Sequence, residues 1–296
     1  MSERRTRLDA TAMVVMVLLC ATWGLQQVAI KVANAGISPV LQAGLRSIGA
    51  CALLWLWSAH RGIRLFDKDG SLIPGLVAAA LFAGEFALLY WGLTFTAASR
   101  SVIFLYTAPF VVALGAHVFL PGERLQWLQW AGLVCAFIGI CIAFADALRL
   151  PTHRELTGDV MALLAALFWG ATTVMIKASR LVRVSPNKIL FYQLAGSGLA
   201  LPLVSLALHE PGITNPGALV LASLLFQVVV VAFVSYLAWF WLITCYPASQ
   251  LSVFSFLTPL FGVLAGGVLL SERVSALLLA SLLLVALGIY LVNRPR

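Results

Sequence analysis

The chain of 296 residues has little charge: 10% of it is Asp, Glu, Lys or Arg, against 62% apolar residues. With a mean hydropathy of +1.01 this excludes an ordinary soluble domain. Acidic residues number only 11 and histidines 4, and no HExxH, Walker A or Gly-x-Ser-x-Gly pattern occurs. A primary pump or a recognised membrane hydrolase therefore has no support. The five cysteines (Cys20, Cys51, Cys135, Cys141, Cys245) lie in or beside apolar runs without metal-ligand spacing, so they read as small buried thiols. No catalytic residue, metal site or cofactor is expected. The pI of 9.6 does not imply nucleic acid, because the basic residues are spread over loops rather than gathered in one patch.

Long apolar runs dominate instead. A spanning helix needs ~20 mostly apolar residues. Ten such stretches are predicted, at roughly 10–33, 38–60, 71–93, 97–120, 126–147, 158–179, 187–208, 217–242, 247–270 and 276–293. The runs do not alternate, which argues against strands. The expected class is an all-α membrane protein of ten transmembrane helices, with the lipid bilayer as its surroundings. With both termini cytoplasmic, twelve basic residues fall on that side, Arg61, Arg64, Arg180, Arg183 and Lys188 among them. Four (Arg100, Arg149, Arg154, Arg273) fall on the other, a positive-inside bias. The first span is long and opens a repeat unit, so it reads as a retained helix rather than a cleaved leader.

The chain is written twice. Trp23-Gly24 and Ile30-Lys31 recur as Trp169-Gly170 and Ile176-Lys177. Further on, Ser38-Pro39 pairs with Ser185-Pro186, Ala98-Ser99 with Ala248-Ser249 and Pro109 with Pro259. Glu123-Arg124 pairs with Glu272-Arg273, and Gly139-Ile140 with Gly288-Ile289. The order is kept and the offset drifts only slightly. An odd number of spans per copy makes the copies opposite in orientation, and inverted repeats of this kind build transporters with a site at the repeat interface. The expected units are 10–147 and 158–293, two inverted five-helix repeats around a central cavity.

These motifs resemble the drug/metabolite transporter superfamily in its EamA-like branch, which includes bacterial amino-acid exporters. The resemblance rests on Trp23 to Lys31, Trp169 to Lys177, Arg46 in the second helix, and the stretches Pro109 to Arg124 and Pro259 to Arg273. It implies ten helices, a multi-pass protein of the bacterial inner (plasma) membrane, and export of amino acids, aromatic ones among them. One departure is Gln193, which stands where the first copy has Arg46.

Trp23, Gln26, Gln27, Ile30 and Lys31 share one helical face, and Trp169, Thr172, Thr173, Ile176 and Lys177 repeat it. The two tryptophans fall near mid-span rather than at the interface where tryptophan normally sits. Either these faces wall a substrate cavity, or their polar residues join neighbouring helices. On the cavity reading, Gln26, Gln27, Thr172 and Thr173 supply hydrogen-bond donors to a substrate carboxylate. Lys31 and Lys177, near helix ends, either join that face or snorkel to the headgroups.

Glu85 is the one carboxylate expected deep in a span, and its repeat partner is Ser235. Three roles stand open: holding a substrate ammonium, carrying a coupling proton, or pairing with Arg46 or Lys31. Arg46 itself can meet a substrate carboxylate, pair with Glu85, or anchor near the outer surface. Tyr90, Trp91, Phe240 and Trp241 close their helices and read as interfacial belt residues. Tyr106, Phe256, Ser252 and Ser255 are cavity candidates with core packing as the alternative, and His117 reads as a packing residue. Pro109 and Pro259 are expected to interrupt the fourth helix of each copy, as hinges or static kinks.

The function expected is secondary export of amino acids and similar small metabolites by alternating access; the alternative is a proton-coupled exporter of lipophilic cations. Oligomeric state is not legible.

Overall fold

The computed structural model describes residues 7–120, 122–270 and 277–294. Among them run ten helical segments. The first five are α1 (Ala10–Ala33), α2 (Pro39–His60), α3 (Leu72–Gly92), α4 (Ala98–Phe119) and α5 (Trp127–Ala143). The second five are α6 (His153–Ala178), α7 (Pro186–Ala207), α8 (Ala218–Cys245), α9 (Ala248–Leu269) and α10 (Leu277–Asn293). Eight are long and apolar enough to cross a membrane, and α5 and α10 are apolar but shorter. The expected 126–147 stretch ends as a helix at Ala143, and α6 begins at His153, earlier than expected. Glu272-Arg273 lies outside the described residues.

The starts of these helices are written locally. Asp9 caps α1 by accepting from the Ala12 N–H at 2.8 Å. A Thr152–Glu155 capping box opens α6. α2 and α7 both open on Ser-Pro, with the proline in the first turn, where its missing N–H costs nothing.

Neighbouring helices alternate in direction, so the bundle has an Asp9 end and an Ala33 end. Ser38 joins Gly212, and Val40 and Leu41 donate to Glu210, at the Ala33 end. Tyr246 joins Asp9 at the other. The most extensive contacts run between the halves: α5 on α10, α2 on α7, α3 on α6 and α7, α1 on α8 and α9, and α4 on α6. Glycines set the crossings. A Cβ on Gly24 of α1 would lie 2.6 Å from the Phe261 Cβ of α9. A Cβ on Gly170 of α6 would lie 2.5 Å from the Val111 side chain of α4. Both glycines follow the repeated tryptophan, so the same dipeptide makes the same crossing twice. Large apolar side chains such as Leu199, Leu206, Val268 and Leu283 face outward. This is the surface a lipid-facing bundle presents, where lipid tails are as apolar as leucine.

The two prolines act differently. α4 is broken after Leu105, and Pro109 sits in the first turn of the resumed helix. The interruption thus precedes the proline, because its ring clashes with the preceding turn. α9 is not broken at Pro259. It narrows to a 3₁₀ turn at Val253–Phe256 just before it. A feature with no sequence cue is the π-helical stretch Gln227–Ser235 inside α8, which contains neither Gly nor Pro.

Three charges that read as surface groups are inside. Arg100 on α4 meets Asp159 on α6 at 2.5 Å and also donates to the Ala147 and Arg149 carbonyls. Asp159 is therefore a second buried carboxylate, beside Glu85. Lys188 is buried and donates to Asp69 at 2.8 Å and to the Asp67 carbonyl at 2.7 Å. Asp69 lies in the 61–71 connection, and the Lys188 ammonium hydrogen-bonded to it pushes its carboxyl down to about 2. A depressed folded value stabilises the fold above the unfolded value and loses that contribution as pH falls through the folded one. Thermal melts of the detergent-solubilised protein should therefore show a component lost between about pH 4 and 2. Asp69→Asn should remove that component and lower neutral-pH stability, because it leaves the buried Lys188 ammonium with the Asp67 carbonyl alone.

Candidate functional site

Between the two halves lies a cavity of about 1250 Å³, its open mouth included. Ile30, Leu93 and Ala98 line it towards the Ala33 end, and Tyr106, Trp169, Thr172, Thr173, Thr258 and Pro259 line its floor. At the Asp9 end a polar cluster lies below it. Lys177 meets Glu123 at 2.6 Å and donates to the Tyr246 carbonyl at 2.5 Å. Glu123 also accepts from the Ala248 N–H at 2.8 Å, and the Tyr246 hydroxyl donates to Asp9 at 2.9 Å.

Of the candidates chosen from the sequence, Trp23, Gln26, Gln27, Glu85, Tyr106, Trp169, Thr172, Thr173 and Pro259 all line this cavity. Ser252 does not: it is buried in α9, where its hydroxyl donates to the Ser249 carbonyl. Pro109 is buried away from it. Tyr90 and Phe240 are not interfacial belt residues; both are buried and line the cavity, whereas Trp91 and Trp241 are exposed. Lys177 does not snorkel, because Glu123 and a carbonyl hold it inside, while Lys31 is exposed.

The indole N–H of Trp23 donates to Ser235 at 2.9 Å, and its ring meets Trp239 and Tyr236 edge-on at 5.7 and 6.4 Å. Trp169 packs edge-on against Tyr106 at 5.9 Å. Each aromatic face thus belongs to a wall built from both halves. The Thr172 and Thr173 hydroxyls donate to the carbonyls one turn earlier, Phe168 and Trp169. Their protons are committed inside the helix, so they face the cavity as acceptors and do not supply the carboxylate donors expected of them.

Glu85 is buried at the cavity wall and makes no hydrogen bond or ion pair among the described residues. Arg46 has no exposed surface, which overturns its reading as a surface anchor. It forms no ion pair with Glu85 either. All three of its guanidinium nitrogens lack hydrogen-bond partners, and the group lies over the Phe86 ring at 4.4 Å and near Tyr236 at 5.8 Å. Arginine stays charged in a protein. A desolvated cation–π contact contributes ~2 kcal/mol, while burying an unpaired ion costs several kcal/mol. The packing does not offset that cost.

Sequence reasoning missed Phe86, Gln193, Tyr236 and Trp239 as wall residues. Two were within reach of the repeat. Gln193 is the counterpart of Arg46, and Tyr236 follows Ser235, the counterpart of Glu85.

Comparison with known proteins bears on this geometry. The profile of the EamA-like transporter family matches residues 10–145 and 156–294. A protein of Salmonella typhimurium described as a probable amino-acid metabolite efflux pump is 30% identical over 285 residues, 93% of this chain and 92% of that one. One of the same description from Escherichia coli is 27% identical over 288 residues, 94% and 93% of the two chains. A solved crystal structure superposes with a TM-score of 0.81 at 16% identity, covering 96% of both chains, which supports the fold alone.

Because Arg46 is buried without an ion pair or a well-formed hydrogen bond, with only aromatic rings and the more distant Glu85 charge to offset its desolvation, Arg46→Met should raise the melting temperature of the substrate-free protein. A structural anchor would instead be lost on substitution, and the melting temperature would fall.

Proposed function

The chain belongs to the EamA-like transporter family, and from that premise we propose that this multi-pass membrane transporter exports amino acids, aromatic ones included, and similar small metabolites. The observation that carries the reading is the cavity between the halves: aromatic walls, with one free carboxylate, Glu85, on its side. Glu85 and the faces of Trp23 and Trp169 receive the substrate ammonium. The largely apolar wall then accepts side chains of varied shape, which gives broad specificity. The names of the Salmonella and Escherichia relatives agree with such a substrate.

The halves act as two inverted five-helix repeats, 10–147 and 158–293, and alternating access is their rocking about the cavity. Supporting this, exchanging the halves maps the packing onto itself. Contacts of α1 with α9 become those of α6 with α4, and those of α3 with α6 become those of α8 with α1. Both termini lie on the cytoplasmic side of the bacterial inner membrane, in keeping with the positive-inside bias. On that orientation the cavity opens outward, and the Lys177–Glu123 cluster is the cytoplasmic seal that breaks on inward opening. Pro109 and Pro259 act as the hinges: the break before the first and the 3₁₀ turn before the second are the points where α4 and α9 bend.

The test is counterflow of labelled phenylalanine into proteoliposomes without a proton gradient. Exchange is expected, reduced at least about tenfold in Glu85→Gln by loss of a charge-assisted contact. No amino-acid exchange, with proton-driven movement of a lipophilic cation that needs Glu85, would replace this reading by drug export.

A further inference from the structure

Glu85 can hold an ammonium group, but of the four donors expected for a carboxylate Thr172 and Thr173 spend their protons on their own helix, which leaves the neutral amides of Gln26 and Gln27. A charged donor sits elsewhere. The Arg46 guanidinium and the Tyr90 hydroxyl both lack partners, and both lie against Phe86: the guanidinium 4.4 Å from the ring centroid, the Tyr90 ring 6.1 Å from it. Phe86, Tyr90 and Tyr236 all line the cavity.

Depth matches as well. Arg46 is the eighth residue of α2 counted from the Ala33 end. Glu85 and Gln26 are each eighth from that end of α3 and α1. At 1.5 Å per residue all three stand about 10 Å below it. A cation and an anion at one level, attracting each other but too far apart for an ion pair and neither held by a well-formed hydrogen bond, form a binding frame for a molecule that carries both charges.

We propose that Arg46, with the Tyr90 hydroxyl, is the carboxylate-recognising end of the substrate site, so that the site selects zwitterionic α-amino acids over amines of the same side chain. This rests on the amino-acid reading above and deepens it. Rotation of the Phe86 or Tyr236 side chain, which wall Arg46 off from the cavity, opens the guanidinium to the substrate; interface rotamer changes of this kind are common on binding. The planar fork then takes the two carboxylate oxygens together. The second half has Gln193 at the matching position, so the frame exists once and orients the substrate.

The experiment is binding to the purified protein, followed by intrinsic tryptophan fluorescence, with phenylalanine and phenethylamine as probes. The proteins are wild type, Arg46→Met and Arg46→Lys, each checked for monodispersity. Wild type should bind phenylalanine roughly 10–100-fold more tightly than phenethylamine, the difference one charged hydrogen-bonding partner makes. Arg46→Met should bring phenylalanine down to the amine's affinity while leaving phenethylamine within about twofold, and Arg46→Lys should fall between, since an ammonium is a point charge without the fork. An equal loss for both probes in Arg46→Met, or no loss for either, overturns the proposal. If wild type binds the amine but not the amino acid, carboxylate recognition fails while a cation site stands. If wild type binds neither, the amino-acid reading itself fails and this proposal with it.

Discussion

A polar group carried into an apolar bundle has no water to turn to, so it must find its partner among the helices. That constraint organises this protein. Arg100 shows it satisfied: its guanidinium is shared between Asp159 and two backbone carbonyls, tying α4 to α6 and the connection before it. Lys177 and Lys188 are held the same way, each by a carboxylate and a carbonyl. Against that background Glu85 and Arg46 stand out, one facing a cavity and the other closed behind aromatic rings. Functional sites are where a fold tolerates groups its own packing does not satisfy.

The architecture around those groups carries the same motifs in both halves. The Trp-Gly dipeptide does two jobs in each half: the glycine lets helices cross closely, and the tryptophan beside it stands on the cavity wall. The copies differ where chemistry is needed. Ser235 replaces Glu85 and accepts the Trp23 indole proton, and Gln193 replaces Arg46. The two halves thus pack alike while the polar groups set on them differ.

Much of this was legible in the sequence because the repeat supplied a second reading of every motif. Helix positions and the faces around Trp23 and Trp169 follow from apolar run length and helical spacing. What stayed hidden depends on partners distant in the chain. Lys31 and Lys177 occupy equivalent positions, yet only the second is buried against Glu123. Tyr90 looked interfacial because it ends a helix, but it is buried in a cluster with Val40 and Ala43 of α2 and Leu201 of α7. Ser252 had the right neighbours and the wrong helix face. The π-helical stretch of α8, which ends at Ser235, has no compositional mark at all.

The most direct measurement is solvent access to the cavity. In a background with the five native cysteines replaced, Gln27→Cys would be challenged in intact cells with a membrane-impermeant thiol reagent, with and without excess phenylalanine. An alternating-access site predicts labelling from outside that the amino acid suppresses. A thiol that reacts from neither face, or reacts identically whatever is added, would contradict the account.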